Sequence, residues 1–465
     1  MANLLTNVRC FSFFPASTST FLIHSRNIEL AIRLQIGLAQ SQTRIYHNTR
    51  LLKLKMPSIS FKPSSATNAS ASVLIRESLK DFSHQTTNKI LALPLSTFET
   101  RSEQVTSLWT NSTTTLPRVF TSAECWDEEH LPSTTNLILS TLHLIEAAKK
   151  VSDRSFYVYR RSEPCPTVNP RLAIAQLVQP TESSPVVLIG LDVLPKGVFH
   201  MPVSLAEFVE GAEEANQQLL LTPKYAFTDL HVDTSDGVSS PIGQCRKLWM
   251  VFPPTEKNIG LMKKADGQRA KLVRIGKNLE GGLVFTTNSD EAIYLPAGCI
   301  HAVITLDGGF LVAIDFVTPL SSRPLAAVIN AGLDDSGAGD TFREEISARF
   351  LSSVDYGLSY RYEDLAITSW ITTLEKSRQY AKESPIWKKK ANQIWNEFFE
   401  EKKKKGEKII CVCGEQGNAE FEGHIKGVHM WQVSKGKKRK FEEEPKSLVE
   451  EKKPARQSKR LKARK

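Results

Sequence analysis

Between about positions 170 and 320 the apolar residues come in short runs, bounded by Gly, Pro and Asp. Val186–Leu191, Lys224–Leu230, Lys247–Phe252, Leu283–Thr286, Ala292–Leu295, Ala302–Leu306 and Phe310–Val317 read as strands. Short strands with turn signals between them suggest a sandwich or barrel. Beyond 320 the apolar period becomes helical. Phe342, Ile346 and Phe350 share one face of a helix that Asp340 can cap, and Leu365, Ile367, Trp370, Ile371 and Leu374 continue the texture. Ser384-Pro385 is a helix start with Pro at the first helical position. Ile386, Trp387, Ile394, Trp395, Phe398 and Phe399 follow as an apolar stripe. That stripe is expected to pack on the β core or on a second copy of the chain. Upstream, the chain mixes polar loops with short helical patterns. Leu137, Leu139, Leu142, Leu144, Ile145 and Ala148 predict an amphipathic helix.

These textures divide the chain into a leader (1–60), a helical and loop region (61–170), a β core (171–320), a helical region (321–404), a Cys/His segment (405–432) and a basic tail (433–465). The expected architecture is α+β overall: a mainly β core, flanking helices and disordered ends. An apolar content of 41% and a charged content of 24% exclude a wholly disordered or collagen-like chain. No apolar run approaches the roughly 18 residues of a membrane span. Seven scattered cysteines argue against a secreted disulfide scaffold.

Charge sharpens the division. The chain is +10 overall, yet Trp431–Lys465 holds 14 Lys or Arg against five Glu, a net +9. Lys435–Lys440 and Lys452–Lys465 are basic clusters around an acidic spacer, the pattern of a bipartite nuclear localisation signal. The leader holds Arg9, Arg26, Arg33, Arg44, Arg50, Lys53 and Lys55 against Glu29 alone. That composition suits a mitochondrial presequence, or a chain whose start is Met56. The nucleus is the expected address, and the mitochondrion the alternative.

The candidate chemistry lies in the β core. His231 and Asp233, two apart on a strand, point to one face. His301 follows the Pro296-Ala297-Gly298 turn and opens another strand. Two imidazoles and one carboxylate on one face of a metal match the facial triad of non-haem Fe(II) oxygenases.

Thr228, the His231-x-Asp233 pair, Lys247 in Arg246-Lys247-Leu248-Trp249, Pro253, Pro296, Gly298 and His301 together resemble the Jumonji C (JmjC) family. The resemblance covers about 220–320. It implies a double-stranded β-helix, a cupin-like jelly roll, using Fe(II) and 2-oxoglutarate. It further implies that His231, Asp233 and His301 hold the iron, and that Lys247 and Thr228 hold the far carboxylate of 2-oxoglutarate. Two departures stand out. Asp315 occupies a position often held by Asn or another small polar residue, and would add negative charge if it faced the site. Asp236–Gln244 lacks an aromatic pair common in demethylases.

A second metal candidate is Cys411-x-Cys413, followed by His424 and His429. It resembles a C2H2 zinc finger with shortened spacings, and implies Zn(II) on those four residues. Phe421 and Ile425 are its expected apolar cluster. The expected function is a dioxygenase acting on a protein side chain, as a histone lysine demethylase or a protein hydroxylase. Finger and tail would contact chromatin or nucleic acid, without a membrane. The alternative is an inactive JmjC scaffold binding DNA or chromatin.

Overall fold

The computed structural model describes residues 70–431 apart from 114, 128–131, 149, 207–215, 334–339, 407–410, 412 and 414–420. The leader and the basic tail lie outside the described residues.

Among the described residues, thirteen strands form two sheets. In chain order they are β1 Leu95–Ser96, β2 Arg118–Thr121, β3 Tyr157–Arg160, β4 Glu163–Pro164, β5 Val186–Ile189, β6 Asn216–Thr222 and β7 Phe227–Val232. They continue as β8 Asp236–Ile242, β9 Arg246–Phe252, β10 Gly282–Thr287, β11 Glu291–Leu295, β12 Ile300–Asp307 and β13 Gly309–Phe316. One sheet runs β1-β10-β9-β12-β7, and the other β2-β11-β8-β13-β6-β5-β3-β4. Apart from the parallel β1–β10 pair, the pairings are antiparallel. This is an α+β fold with a jelly-roll, cupin-like core and flanking helices.

Strand alternation explains the layering. In β9, Trp249 and Val251 join Leu283, Phe285, Val303, Ile293, Leu295 and Leu311 in an apolar cluster drawn from both sheets. Leu248, Met250 and Phe252 point the other way and are wholly buried under helices. Burying each contributes about 1.5–3 kcal/mol. The outer face of the eight-stranded sheet carries its own cluster, including Leu219, Leu221, Val312 and Ile314.

The helices after the core are α1 Ser322–Asn330, α2 Asp340–Ser359, α3 Glu363–Thr372, α4 Leu374–Glu383 and α5 Pro385–Lys405. The α5 start is as expected: Ser384 Oγ accepts from the Trp387 amide, and Pro385 opens the helix. The stripe differs at one position. Trp387, Ile394, Trp395, Phe398 and Phe399 are buried, but Ile386 is 83% exposed. The stripe packs within the helical layer, which joins the outer face of the five-stranded sheet in one core.

Two readings of the pattern need correction. Region 61–170 also supplies β1–β4, so both sheets extend into it. In Thr134–Ala147 the buried positions are Leu137, Thr141 and Ile145, while Leu139 faces solvent. Among the described residues, no helix is long and apolar enough to cross a membrane.

Candidate metal centre

β7 and β12 pair so that His231 stands directly opposite His301. The rings lie 4.0 Å apart between centroids. Asp233 follows the end of β7, and its main-chain carbonyl accepts from the Gly298 amide at 3.0 Å. Gly298 has φ +73°, the left-handed turn that glycine adopts without strain. The turn therefore fixes Asp233 beside His301. Asp233 Oδ1 lies 3.7 Å from His231 Nε2, and Oδ2 lies 3.5 Å from His301 Nε2. Two ligands bonded at about 2.1 Å can be no more than about 4.2 Å apart, so both separations suit a shared ion.

The tautomers suit it too. His231 Nδ1 donates to the Asp229 carbonyl at 2.9 Å, and His301 Nδ1 to the Cys299 carbonyl at 3.3 Å. With Nδ1 carrying the proton, each Nε2 lone pair is left to bind metal. Burial, helped by His231 opposite, lowers the His301 pKa to about 4, so it is neutral at physiological pH. His301 is enclosed at 5% side-chain exposure, whereas His231 and Asp233 are open at 38% and 46%. The centre thus opens on one side.

Lys247 lies on the same inner face as Trp249 and Val251, and only 1% of it is exposed. Its ammonium donates to Thr305 Oγ1 at 2.8 Å and to Thr222 Oγ1. Burial pulls its pKa down from the usual value. Thr228 is solvent-exposed and is not a partner of Lys247. The register explains why: Thr228 pairs with Val303, while Lys247 pairs with Thr305 on the far side of β12. Both still share the face of His301. One extra residue in β7 between His231 and Thr228 restores the phase.

Asp315 does face the site. Gln218 Nε2 donates to its Oδ2 at 2.8 Å. Burial raises its pKa to about 7, and the charges of Asp233 and Glu345 add to that while Arg349 opposes it. Glu345 also accepts from Thr234 Oγ1 at 2.8 Å, so α2 lies over this edge of the site. Gln218, Glu345, Arg349, Thr222 and Thr305 carried no sequence signal, because each meets the site only through the fold.

A buried carboxylate braces the metal turn from behind. Asp236 accepts from Tyr294 Oη at 2.7 Å, from the Ala297 amide and Thr318 Oγ1 at 3.1 Å, and from Ser321 Oγ. Burial raises its pKa, and the four donors oppose that rise.

The other predicted set, Cys411, Cys413, His424 and His429, also comes together, with its donor atoms within 4.8 Å of one another. It is not a separate unit. Ile425 and Met430 are buried in the main helical core. The side chain of Phe421 lies outside the described residues.

Fold and donors together define a jelly-roll protein with a candidate two-histidine, one-carboxylate centre. No family model matches the chain. Part of it is similar to three yeast proteins, each named JmjC domain-containing histone demethylation protein 1. The Kluyveromyces lactis protein is 27% identical over 107 residues, 23% of this chain and 22% of that protein. The Candida glabrata protein is 27% identical over 101 residues, covering 21% and 25%. The Saccharomyces cerevisiae protein is 29% identical over 123 residues, 25% of each. The chain spans about a quarter of the length of these curated relatives. The likeness supports the JmjC family.

Proposed function

We propose that this protein is an Fe(II)- and 2-oxoglutarate-dependent dioxygenase acting on a protein side chain. Methyl-lysine on a histone is the leading substrate, with hydroxylation of another protein side chain next. The observation that carries the reading is the pair of imidazoles across β7 and β12. Both are held by main-chain carbonyls with Nε2 turned to the Asp233 carboxylate.

Fe(II) with 2-oxoglutarate and O₂ supplies an oxidant for a substrate C–H bond, while the keto acid leaves as succinate and carbon dioxide. The chain's own residues do the rest. His231, Asp233 and His301 would hold the ion on one face and leave the others open. Lys247 would bind the far carboxylate. Thr305, opposite Lys247, is four residues, roughly 13 Å of strand, from His301. With the lysine side chain reaching inward, that interval accommodates a five-carbon dicarboxylate. Thr222 and Thr305 orient the ammonium, and Thr228 is available from the open side. Trp249, opposite Val303 between these ends, and Val251, opposite His301, keep water from the inner wall.

The names of the three yeast relatives, each a histone demethylation protein, favour chromatin as the setting. The basic tail favours the nucleus. Nucleic-acid contact is assigned to that tail. The test is succinate release by purified protein given Fe(II), 2-oxoglutarate and a panel of methylated and unmodified histone peptides. Release above that of Asp233→Ala supports the reading. Equal release with every peptide sinks it.

A scaffold reading has one observation in its favour. Asp315 adds a second carboxylate facing Asp233. In that case the protein docks on chromatin without turnover, and an Asp233→Ala protein restores function to cells lacking it.

A further inference from the structure

We infer that Cys411, Cys413, His424 and His429 bind one Zn(II) ion that staples residues 421–431 onto the tryptophan-lined helical layer, rather than forming a finger that reads nucleic acid. The inference does not depend on the iron site.

The donor set comes first. Cys413 Sγ lies 3.2 Å from His424 Nε2, and His429 Nε2 lies 3.0 Å from His424 Nε2. A tetrahedron with Zn–N of about 2.0–2.1 Å and Zn–S of about 2.3 Å has edges of roughly 3.3–3.8 Å. At 3.2 and 3.0 Å these two pairs are slightly tighter than such edges, and a small outward shift of the donors would seat a single tetrahedral ion. Two thiolates and two imidazoles are soft-to-borderline ligands that select zinc over magnesium or calcium.

The second observation is what the segment touches. Trp370 Nε1 donates to the His429 carbonyl at 2.8 Å, so a ligand's own backbone is tied to α3. Arg378 on α4 donates to the carbonyls of Val428 at 3.1 Å and Met430 at 3.2 Å. Trp431 lies 6.1 Å from Trp370 and 6.2 Å from Trp387, edge to face with both, and its Nε1 donates to Asn392 Oδ1 on α5 at 3.1 Å. Ile425 is wholly buried. A groove-reading finger presents its helix outward to the bases. Here the helical residues from 421 to 429 bury Ile425 and His429 against the protein. An ion on these four side chains ties the helical residues 421–429 back to Cys411 and Cys413, adding order beyond their contacts with the helical layer.

The test uses the full-length protein. Metal analysis of the purified protein should give one zinc per chain, lost in Cys411→Ser/Cys413→Ser and kept in Asp233→Ala. Zinc retained by the double variant, or none taken up by wild type, overturns the site. If the double variant fails to fold, cobalt exchange into wild type decides. Tetrahedral cobalt with thiolate charge-transfer absorption supports the site, and an octahedral spectrum overturns it. Stripping zinc from wild type with a chelator should red-shift tryptophan emission and lower Tm by roughly 5 °C or more. Readdition should reverse both. Zinc removal that leaves emission and Tm unchanged overturns the staple, and doing so while abolishing DNA binding establishes the finger in its place.

Discussion

The main-chain carbonyl of Asp229 accepts from His231 Nδ1 at 2.9 Å, and its carboxylate accepts from the amides of Lys271 and Leu272 at 2.7 and 2.9 Å. One residue thus caps the short helix Lys271–Ile275 and orients a candidate iron ligand. Asp229→Ala should cost about 1 kcal/mol of stability for the lost cap. Slackening the carbonyl should also weaken Fe(II) binding roughly 10-fold. Iron titration and thermal melting of the same variant check both. Normal iron affinity with reduced stability would limit Asp229 to capping.

Lys247 sets stability against binding. Among the described residues its buried ammonium has hydroxyl partners and no carboxylate, so Lys247→Met should raise the Tm of ligand-free protein. The same change should weaken 2-oxoglutarate binding roughly 10- to 100-fold by removing a charge-assisted contact. The pH dependence has a definite sign. The folded pKa is lowered, so between it and about 10.4 the unfolded chain holds more protons. Wild-type stability therefore gains a contribution as pH rises through that window, and Lys247→Met lacks it. Calorimetry of binding and denaturant melts at several pH values read both effects.

The contrast between Lys247 and Asp229 shows what was readable in the residues alone. His231, Asp233 and His301 could be expected to meet, because strand alternation and a Pro-Gly turn are local properties. Lys247 could be placed only through the JmjC resemblance, because Leu248–Phe252 is a continuous apolar run, buried on both faces, with no alternation to read. The Asp229 carbonyl could not, since every residue has one and only the bulge in β7 aims it. Thr222 and Thr305 surround Lys247 through pairings between strands far apart in sequence. β8 escaped notice because Gly237, Ser239, Ser240 and Pro241 have little strand propensity, and tertiary pairing overrides that. The grouping of Cys411, Cys413, His424 and His429 was visible by spacing, whereas the hydrogen bonds of Trp370 and Arg378 to residues 428–430 were not.

Asp315 gives a pH dependence of opposite sign. Its pKa is about 7 in the folded, metal-free protein, above the usual carboxylate value. Between about pH 4 and 7 the folded state holds the extra proton. Stability from this group is therefore complete below about pH 4 and declines as pH rises through 7, by at most a few kcal/mol. Asp315→Asn should flatten that decline in chelator-treated protein. An unchanged slope in urea melts from pH 4.5 to 8 would place the effect elsewhere.

The last prediction separates two apolar residues on one helix. Ile386 and Trp395 both belong to the stripe that periodicity selects, yet Ile386 is 83% exposed and Trp395 is wholly buried. Trp395 packs edge to face on Trp370 at 5.5 Å and lies 5.8 Å from Phe399. Ile386 sits at the second helical position, beyond the edge of that cluster. Trp395→Ala should cost about 3–5 kcal/mol through the cavity it leaves. Ile386→Lys should change stability by no more than about 0.5 kcal/mol. Equal losses in urea melts would mean that Ile386 is covered by a second copy of the chain. Concentration-dependent melting of wild type would then identify that copy as its partner.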